Sequence, residues 1–276
     1  MKVINDLQAM QDLVYPPLAS IGFVPTMGYL HEGHLSLVKA SKQACDVTVV
    51  SIFVNPTQFG PNEDLSSYPR DIERDLHLLE AEGAEYVFFP TGEMMYPKGY
   101  RSWVEVDELS SILCGASRPS HFRGVCTVVL KLINIVRPHR MFMGEKDFQQ
   151  LSILRKMAED LNLRIDIIGC PIVREADGLA KSSRNVYLDP SQRITSLSLS
   201  QALQHARQMV AAGELSASSI IAKATELIAN SGARVDYVSI VDARNLQAQE
   251  SINDHSRMIL AAYVGKTRLI DNMPLF

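Results

Sequence analysis

Two runs of apolar character without strict alternation, residues 21–24 and 47–54 (the second with only Thr48 and Ser51 polar), constrain the fold more than any other feature of the chain. A strand with one wet face alternates polar and apolar residues. Such a run belongs to a strand covered on both faces, as in parallel sheets. Between the runs lies a helical pattern over about residues 31–44, carrying Leu35, Leu37, Val38 and Ala40. Strand, helix and strand make a βαβ unit, and the rhythm continues. Pro69 opens an amphipathic helix with Ile72, Leu76 and Leu79, which Gly83 ends. Residues 86–89 are a third strand, 121–136 a strongly apolar helix stopped before Pro138, and 140–143 a short strand. Asp147 caps a helix to about residue 161, and 164–168 return as a strand. The expected fold is α/β, a Rossmann-like doubly wound parallel sheet.

The rhythm changes near residue 175, where Glu175-Ala176-Asp177-Gly178 reads as a turn or linker. Two helical stretches (190–212 and 216–230) and two strand-like runs (235–241 and 258–264) follow. That order suggests a smaller α+β C-terminal domain with an antiparallel sheet. The expected division is 1–175 and 176–276.

Composition narrows the functional classes. Of 276 residues, 46% are hydrophobic and 21% charged, with a net charge of −4, which argues against a broad nucleic-acid surface. The four cysteines, Cys45, Cys114, Cys126 and Cys170, form no C-x-x-C pair, so buried free thiols and a cytoplasmic setting are expected. The N-terminus carries Lys2, Asp6 and Asp12 rather than a signal-peptide core, and the longest apolar runs are short or broken by Lys131, so no membrane partner is expected.

The chemistry concentrates where strands end. Pro25-Thr26-Met27-Gly28-Tyr29-Leu30-His31-Glu32-Gly33-His34 joins the first apolar run to the first long helix. Unpaired backbone N–H groups at a helix start favour phosphate, and two imidazoles three residues apart share a helix face. The bland alternative is a surface cap. A zinc reading fails on spacing, since H-E-x-x-H needs four and this is H-E-x-H. Gly28 and Gly33 remove side chains where a ligand could approach.

Asn55-Pro56-Thr57-Gln58-Phe59 follows the second apolar run, and the amides of Asn55 and Gln58 could read a small polar substrate or merely shape a turn. Gly144-Glu145-Lys146-Asp147 follows another strand: Lys146 offers charge to phosphate, and Asp147 a cap or a ligand for ribose or Mg²⁺. Gln150 lies one turn past Lys146. Leu179-Ala180-Lys181-Ser182-Ser183-Arg184-Asn185 suits a triphosphate or is a solvated turn. In His121-Phe122-Arg123-Gly124, Arg123 could face a carboxylate, and His121 could start a helix. His77, His139, His205 and His255 read as structural or surface residues.

Taken together in order, these motifs, with Tyr68-Pro69-Arg70, resemble the pantothenate synthetase (pantoate–β-alanine ligase) family of the HIGH/KMSKS-type nucleotidyltransferase superfamily. The resemblance is carried by the first 185 residues; the C-terminal third resembles the family mainly in length and position. It implies that pantoate attacks the α-phosphate of Mg²⁺-ATP to give pantoyl adenylate, which β-alanine converts to pantothenate and AMP. It also implies a C-terminal lid and a homodimer. Carried over by position, Met27, Gly28, Tyr29, Leu30, His31, Glu32, Gly33 and His34 would hold ATP, with His34 the proton donor and His31 on the phosphates. Gly144, Glu145, Lys146 and Asp147 would contact nucleotide and Val173 its adenine side. Lys181, Ser182, Ser183 and Arg184 would form the KMSKS-like loop. Gln58 and Gln150 would bind pantoate, Gln58 also β-alanine, and Asn55 would line that pocket. His31, His34, Lys146 and Arg184 would carry the catalysis. No protein metal site is assigned, the magnesium being carried mainly by ATP. Lys181 stands where the family more often has Met or Leu. Two other classes compete: a nucleotidyltransferase that stops after adenylyl transfer, and a non-catalytic nucleotide sensor. The acidic balance disfavours a tRNA-charging enzyme.

Overall fold

The computed structural model describes residues 1–61 and 63–276. It separates into two compact units: Met1–Glu145 with Ile153–Pro171, and Lys146–Ser152 with Ile172–Phe276. In chain order up to residue 171 the elements are β1 (Lys2–Ile4), α1 (Leu7–Gln11), β2 (Ile21–Thr26), α2 (Glu32–Ala44), β3 (Val47–Ile52), α3 (Ile72–Ala81), β4 (Tyr86–Phe88), the single turns α4 (Gly92–Met95) and α5 (Cys114–Ser117), α6 (His121–Val136), β5 (Arg140–Gly144), α7 (Phe148–Asp160) and β6 (Asp166–Cys170).

In the first unit six parallel strands run in the order β1-β4-β3-β2-β5-β6. Every residue of β3 is buried, as an apolar run between two covered faces requires. On one face Val24, Val50, Val87 and Phe142 pack with Leu37 and Val38 of α2 and Leu79 of α3. From β2 the chain builds outward through β3 and β4, then returns to place β5 on the other side. That reversal is a topological switch point, and the loops leaving the carboxyl ends of such strands are where open α/β sheets bind ligands.

Several boundaries differ from expectation. β1 is a three-residue strand, too short to carry a periodic signal, and pairs in parallel with β4. Pro69 does not open α3. Asp71 caps it, its carboxylate accepting from Arg74 N at 3.1 Å. A 3₁₀ turn, Glu145–Asp147, precedes α7, and β6 lies later than expected because Asp166 pairs with Arg140. All four cysteines are free, but Cys45 is only half-buried. Burial pushes the Cys126 thiol up to about 12, so it stays protonated and behaves as an apolar group.

The second unit continues with α8 (Pro190–Ala211), α9 (Ala217–Asn230), β7 (Arg234–Asp242), β8 (Ser256–Val264) and β9 (Thr267–Pro274). The strands form an antiparallel β7-β8-β9 sheet. Leu199, Leu203 and Ala206 of α8 and Ile220 and Ile228 of α9 bury against Ile240, Met258, Leu260 and Leu269. Sequence pattern misses β9 because Arg268, Asp271 and Asn272 interrupt it. Asp271 is buried under a two-bond ion pair with Arg174 (2.6 and 3.0 Å), and Asn272 accepts from Arg257. Glu175–Gly178 is no free linker: Glu175 N bonds Leu179 O at 2.8 Å, Gly178 turns at φ +95°, and Arg193 of α8 grips Glu175 and Asp177. Among the described residues no helix is long and apolar enough to cross a membrane.

Candidate active site

The first unit folds the loop between β2 and α2 tightly. Gly28 lies at φ +82°, with only 3.0–3.1 Å between an added Cβ and Ile52 or Asp75, so both its conformation and its space favour glycine. Tyr29 also lies in the left-handed region, at φ +49°. His31 is the N-cap of α2, its Nδ1 accepting from Gly33 N at 3.1 Å. His34 reciprocates, its Nδ1 accepting from His31 N at 3.3 Å, and the rings stack with centroids 4.0 Å apart. The capping reading and the ligand reading are therefore compatible. An imidazole whose Nδ1 accepts from an amide carries its neutral-state proton on Nε2, so both rings present an Nε2–H donor at a helix N-terminus. Met27 and Tyr29 are half-buried, Gly28 and Leu30 buried, Glu32 exposed and Gly33 half-buried.

A polar cluster holds the turn after β3, where a 3₁₀ helix spans Pro56–Gln58. Asn55 is 1% exposed, and its amide is engaged on both sides. Its Nδ2 donates to Gln58 Oε1 and Gly124 O, each at 3.1 Å, and its Oδ1 accepts from Tyr96 and Thr57 hydroxyls at 2.9 Å. Asn55 thus acts on Gln58 rather than reaching outward. Gln58 Nε2 lies 2.9 Å from Met27 Sδ, which ties this turn to the histidine loop. The main-chain oxygen of Gln58 is held from the start of α6. Arg118 can only donate to His121 Nε2, at 3.0 Å, so the His121 proton sits on Nδ1 and is donated to Gln58 O at 2.8 Å. Arg118 adds a bond to the same oxygen and an ion pair with Glu63. The Arg123 guanidinium lies over the Trp103 ring at 4.7 Å.

Gly144 closes β5, with open space where a Cβ would stand, and Glu145 opens the 3₁₀ turn. In the second unit, Lys146 and Gln150 are half-buried, Asp147 exposed, and Gln149, not Gln150, buried. Asn272 Nδ2 fixes the main-chain oxygen of Lys146 at 3.0 Å, and Arg257 lies 4.0 Å over Phe148. Val173 O accepts from Lys181 N at 2.9 Å. Ser182 caps the 3₁₀ turn Ser183–Tyr187 by accepting from Arg184 N at 3.3 Å, and Ser183 is buried. Asn185 holds this turn to Glu175 Oε1 (2.7 Å) and Ala180 O (3.1 Å). Hydrogen bonding from Arg193 keeps the Glu175 carboxyl below the usual carboxylate range. No local sequence pattern marks Asp75, Tyr96, Arg118 or Glu63 at these sites, because each bonds a residue between 41 and 60 positions away in the chain. Among the described residues no group of three or more His, Cys, Asp or Glu forms a metal centre.

With this geometry in place, similarity to known proteins is informative. A protein-family model described as pantoate-beta-alanine ligase matches residues 2–274. A pantothenate synthetase of Fervidobacterium nodosum is 52% identical over 272 residues, covering 99% of this chain and 97% of that protein. The crystal structure of the pantothenate synthetase from Thermus thermophilus superposes with a TM-score of 0.96 at 41% identity, covering both chains completely. The pantoate-beta-alanine ligase from Francisella tularensis, crystallised with beta-gamma ATP and beta-alanine, superposes at 0.84 and 36% identity, with 100% of this chain and 98% of that one covered.

Proposed function

The chain belongs to the pantoate-beta-alanine ligase family, an ATP-dependent ligase that condenses pantoate with β-alanine, and we propose how its residues divide that work. The observation that carries the assignment is the histidine pair. Both Nδ1 atoms accept from backbone amides, leaving Nε2–H as the donor of each ring beside the first amides of α2. Those donors suit phosphate oxygens. Attack of the pantoate carboxylate on the α-phosphorus spreads negative charge over that phosphate and the leaving pyrophosphate. Preorganised donors lower the barrier by stabilising that charge. In this reading His34 and His31 are such donors, and Lys146 and Arg184 are the cations assigned to the phosphates. No covalent nucleophile on the protein is required. Met27 to His34, Gly144 to Asp147, Val173 and Lys181 to Arg184 contact the nucleotide in this reading. Gln58 and Gln150 bind pantoate, with Gln58 braced by Asn55 and also serving the β-alanine step.

Magnesium fits this donor set as an ion brought by ATP. Asp147 is an exposed carboxylate, a hard oxygen donor of the kind Mg²⁺ accepts alongside phosphate oxygens, and the ion would neutralise phosphate charge. The wider reading includes a nucleotide- and pantoate-binding domain at 1–175, a smaller lid domain at 176–276 that keeps water from the acyl adenylate, a homodimer and a cytoplasmic location. The test is to measure AMP release with ATP, pantoate and β-alanine, omitting each in turn. AMP should require all three, while pyrophosphate exchange should require only ATP and pantoate. Exchange that needs β-alanine would refute the two-step order.

A further inference from the structure

The histidine loop is anchored from outside itself. Asp75, on α3, is 1% exposed, and its carboxylate lies under the loop. Oδ2 accepts from Tyr29 N at 2.6 Å and Oδ1 from Leu30 N at 2.7 Å. The preceding residue completes the grip. Arg74 Nη1 donates to Leu30 O at 3.0 Å, and its guanidinium stands 5.4 Å from the Tyr29 ring centroid. Three main-chain groups of two consecutive residues are thus held by two adjacent side chains.

A buried carboxylate is costly unless its oxygens are matched to donors. Here the donors are the amides of a residue in the left-handed region and of the residue before the N-cap His31. Tyr29 has no intrinsic preference for φ +49°, so something must offset that strain. The two short charge-assisted bonds do so. They also turn the Tyr29 and Leu30 amides toward α3.

We propose that Asp75, assisted by Arg74, is a positioning residue for ATP: it touches no reacting atom but fixes the backbone that aims His31 and His34. This rests on the assignment of the loop to ATP. The test compares Asp75→Asn, Arg74→Ala and His34→Ala with the parent, using pantoate-dependent ATP–pyrophosphate exchange and steady-state KM values. Asn keeps the shape of Asp but sets an NH₂ against one of the two amides. D75N should raise the KM for ATP between about 10- and 100-fold, while the KM for β-alanine stays within twofold. Arg74 is half-exposed, so R74A should fold normally and raise the ATP KM about threefold. A lower kcat that disappears when rates are normalised to folded enzyme would overturn the proposal, as would unchanged kinetics. If D75N is insoluble, R74A decides: an unchanged ATP KM overturns the proposal and a raised one supports it. A damaging H34A beside a silent D75N refutes the clamp alone; a silent H34A refutes the loop assignment and the clamp with it.

Discussion

The two loops read as phosphate-binding are stabilised by different physics. The histidine loop of the first unit is held by directional bonds to main-chain amides: the buried Asp75 to two of them, and the reciprocal, half-buried His31–His34 cap. The Lys181–Arg184 loop of the second unit is held by main-chain bonds and by Asn185, whose partner Glu175 sits in an ion-pair network. Arg193 bridges Glu175 and Asp177, with side chains 24–36% exposed, and Glu175 in turn holds Asn185. Buried bonds are indifferent to salt and fix geometry closely, whereas part-exposed charge networks are screened and yield to pH. The first arrangement suits donors that must be preorganised; the second suits a segment whose cations act by charge and tolerate small displacements.

The sharpest way to break this contrast is at the rigid end. His34→Ala should lower the adenylation rate by roughly 10²–10³, the range for a lost preorganised donor. Its stability loss should be only about 1 kcal/mol, the worth of a cap. Single-turnover adenylation together with thermal unfolding separates the two. A mild kinetic effect would reduce the pair to a cap.

The second test addresses the charged loop. Arg184→Ala should raise the ATP KM by about tenfold or more, as expected for a lost fork to phosphate. Lys181→Met should be nearly silent. ATP titrations of both variants decide the ranking, and the reverse order would relocate the phosphate-binding end of the loop.

A third test asks whether packing alone can disturb a substrate loop. An added Cβ at Gly124 would lie 2.5 Å from Thr57 O and 2.8 Å from Gln58 N, so the Pro56–Gln58 turn must move. Gly124→Ala should cost about 1–3 kcal/mol in stability and weaken pantoate more than ATP. Equal damage to both substrates would show that this turn does not discriminate between them.

The smallest effect concerns pH. Glu175 has its folded pKa depressed, chiefly by the Arg193 hydrogen bond. Stability from such a group is present above the unfolded pKa and lost as pH falls through the folded one. Arg193→Gln should therefore cost up to about 1 kcal/mol at neutral pH, and the gap to the parent should close below about pH 4. Urea unfolding of parent and variant at both pH values measures it; a gap that persists in acid would mean that Arg193 acts by packing.

The sequence by itself determined the sheet type, since apolar runs joined by helical pattern leave few alternatives to covered parallel strands, and it marked the chemical segments at strand ends. The order of motifs carried the family. Tertiary structure alone decided how those segments are held. Asp75 is one more polar residue of an amphipathic helix until the fold brings it under Tyr29 and Leu30, 46 and 45 positions away. Asn55 reads as a substrate-facing amide until Tyr96 and Gly124 occupy it. β9 reads as loop until Arg174 and Arg257 satisfy its polar residues. Hydrophobic periodicity is a local signal, written within one turn or one pleat. The satisfaction of a buried polar group is a long-range one, and only the folded chain supplies the partner.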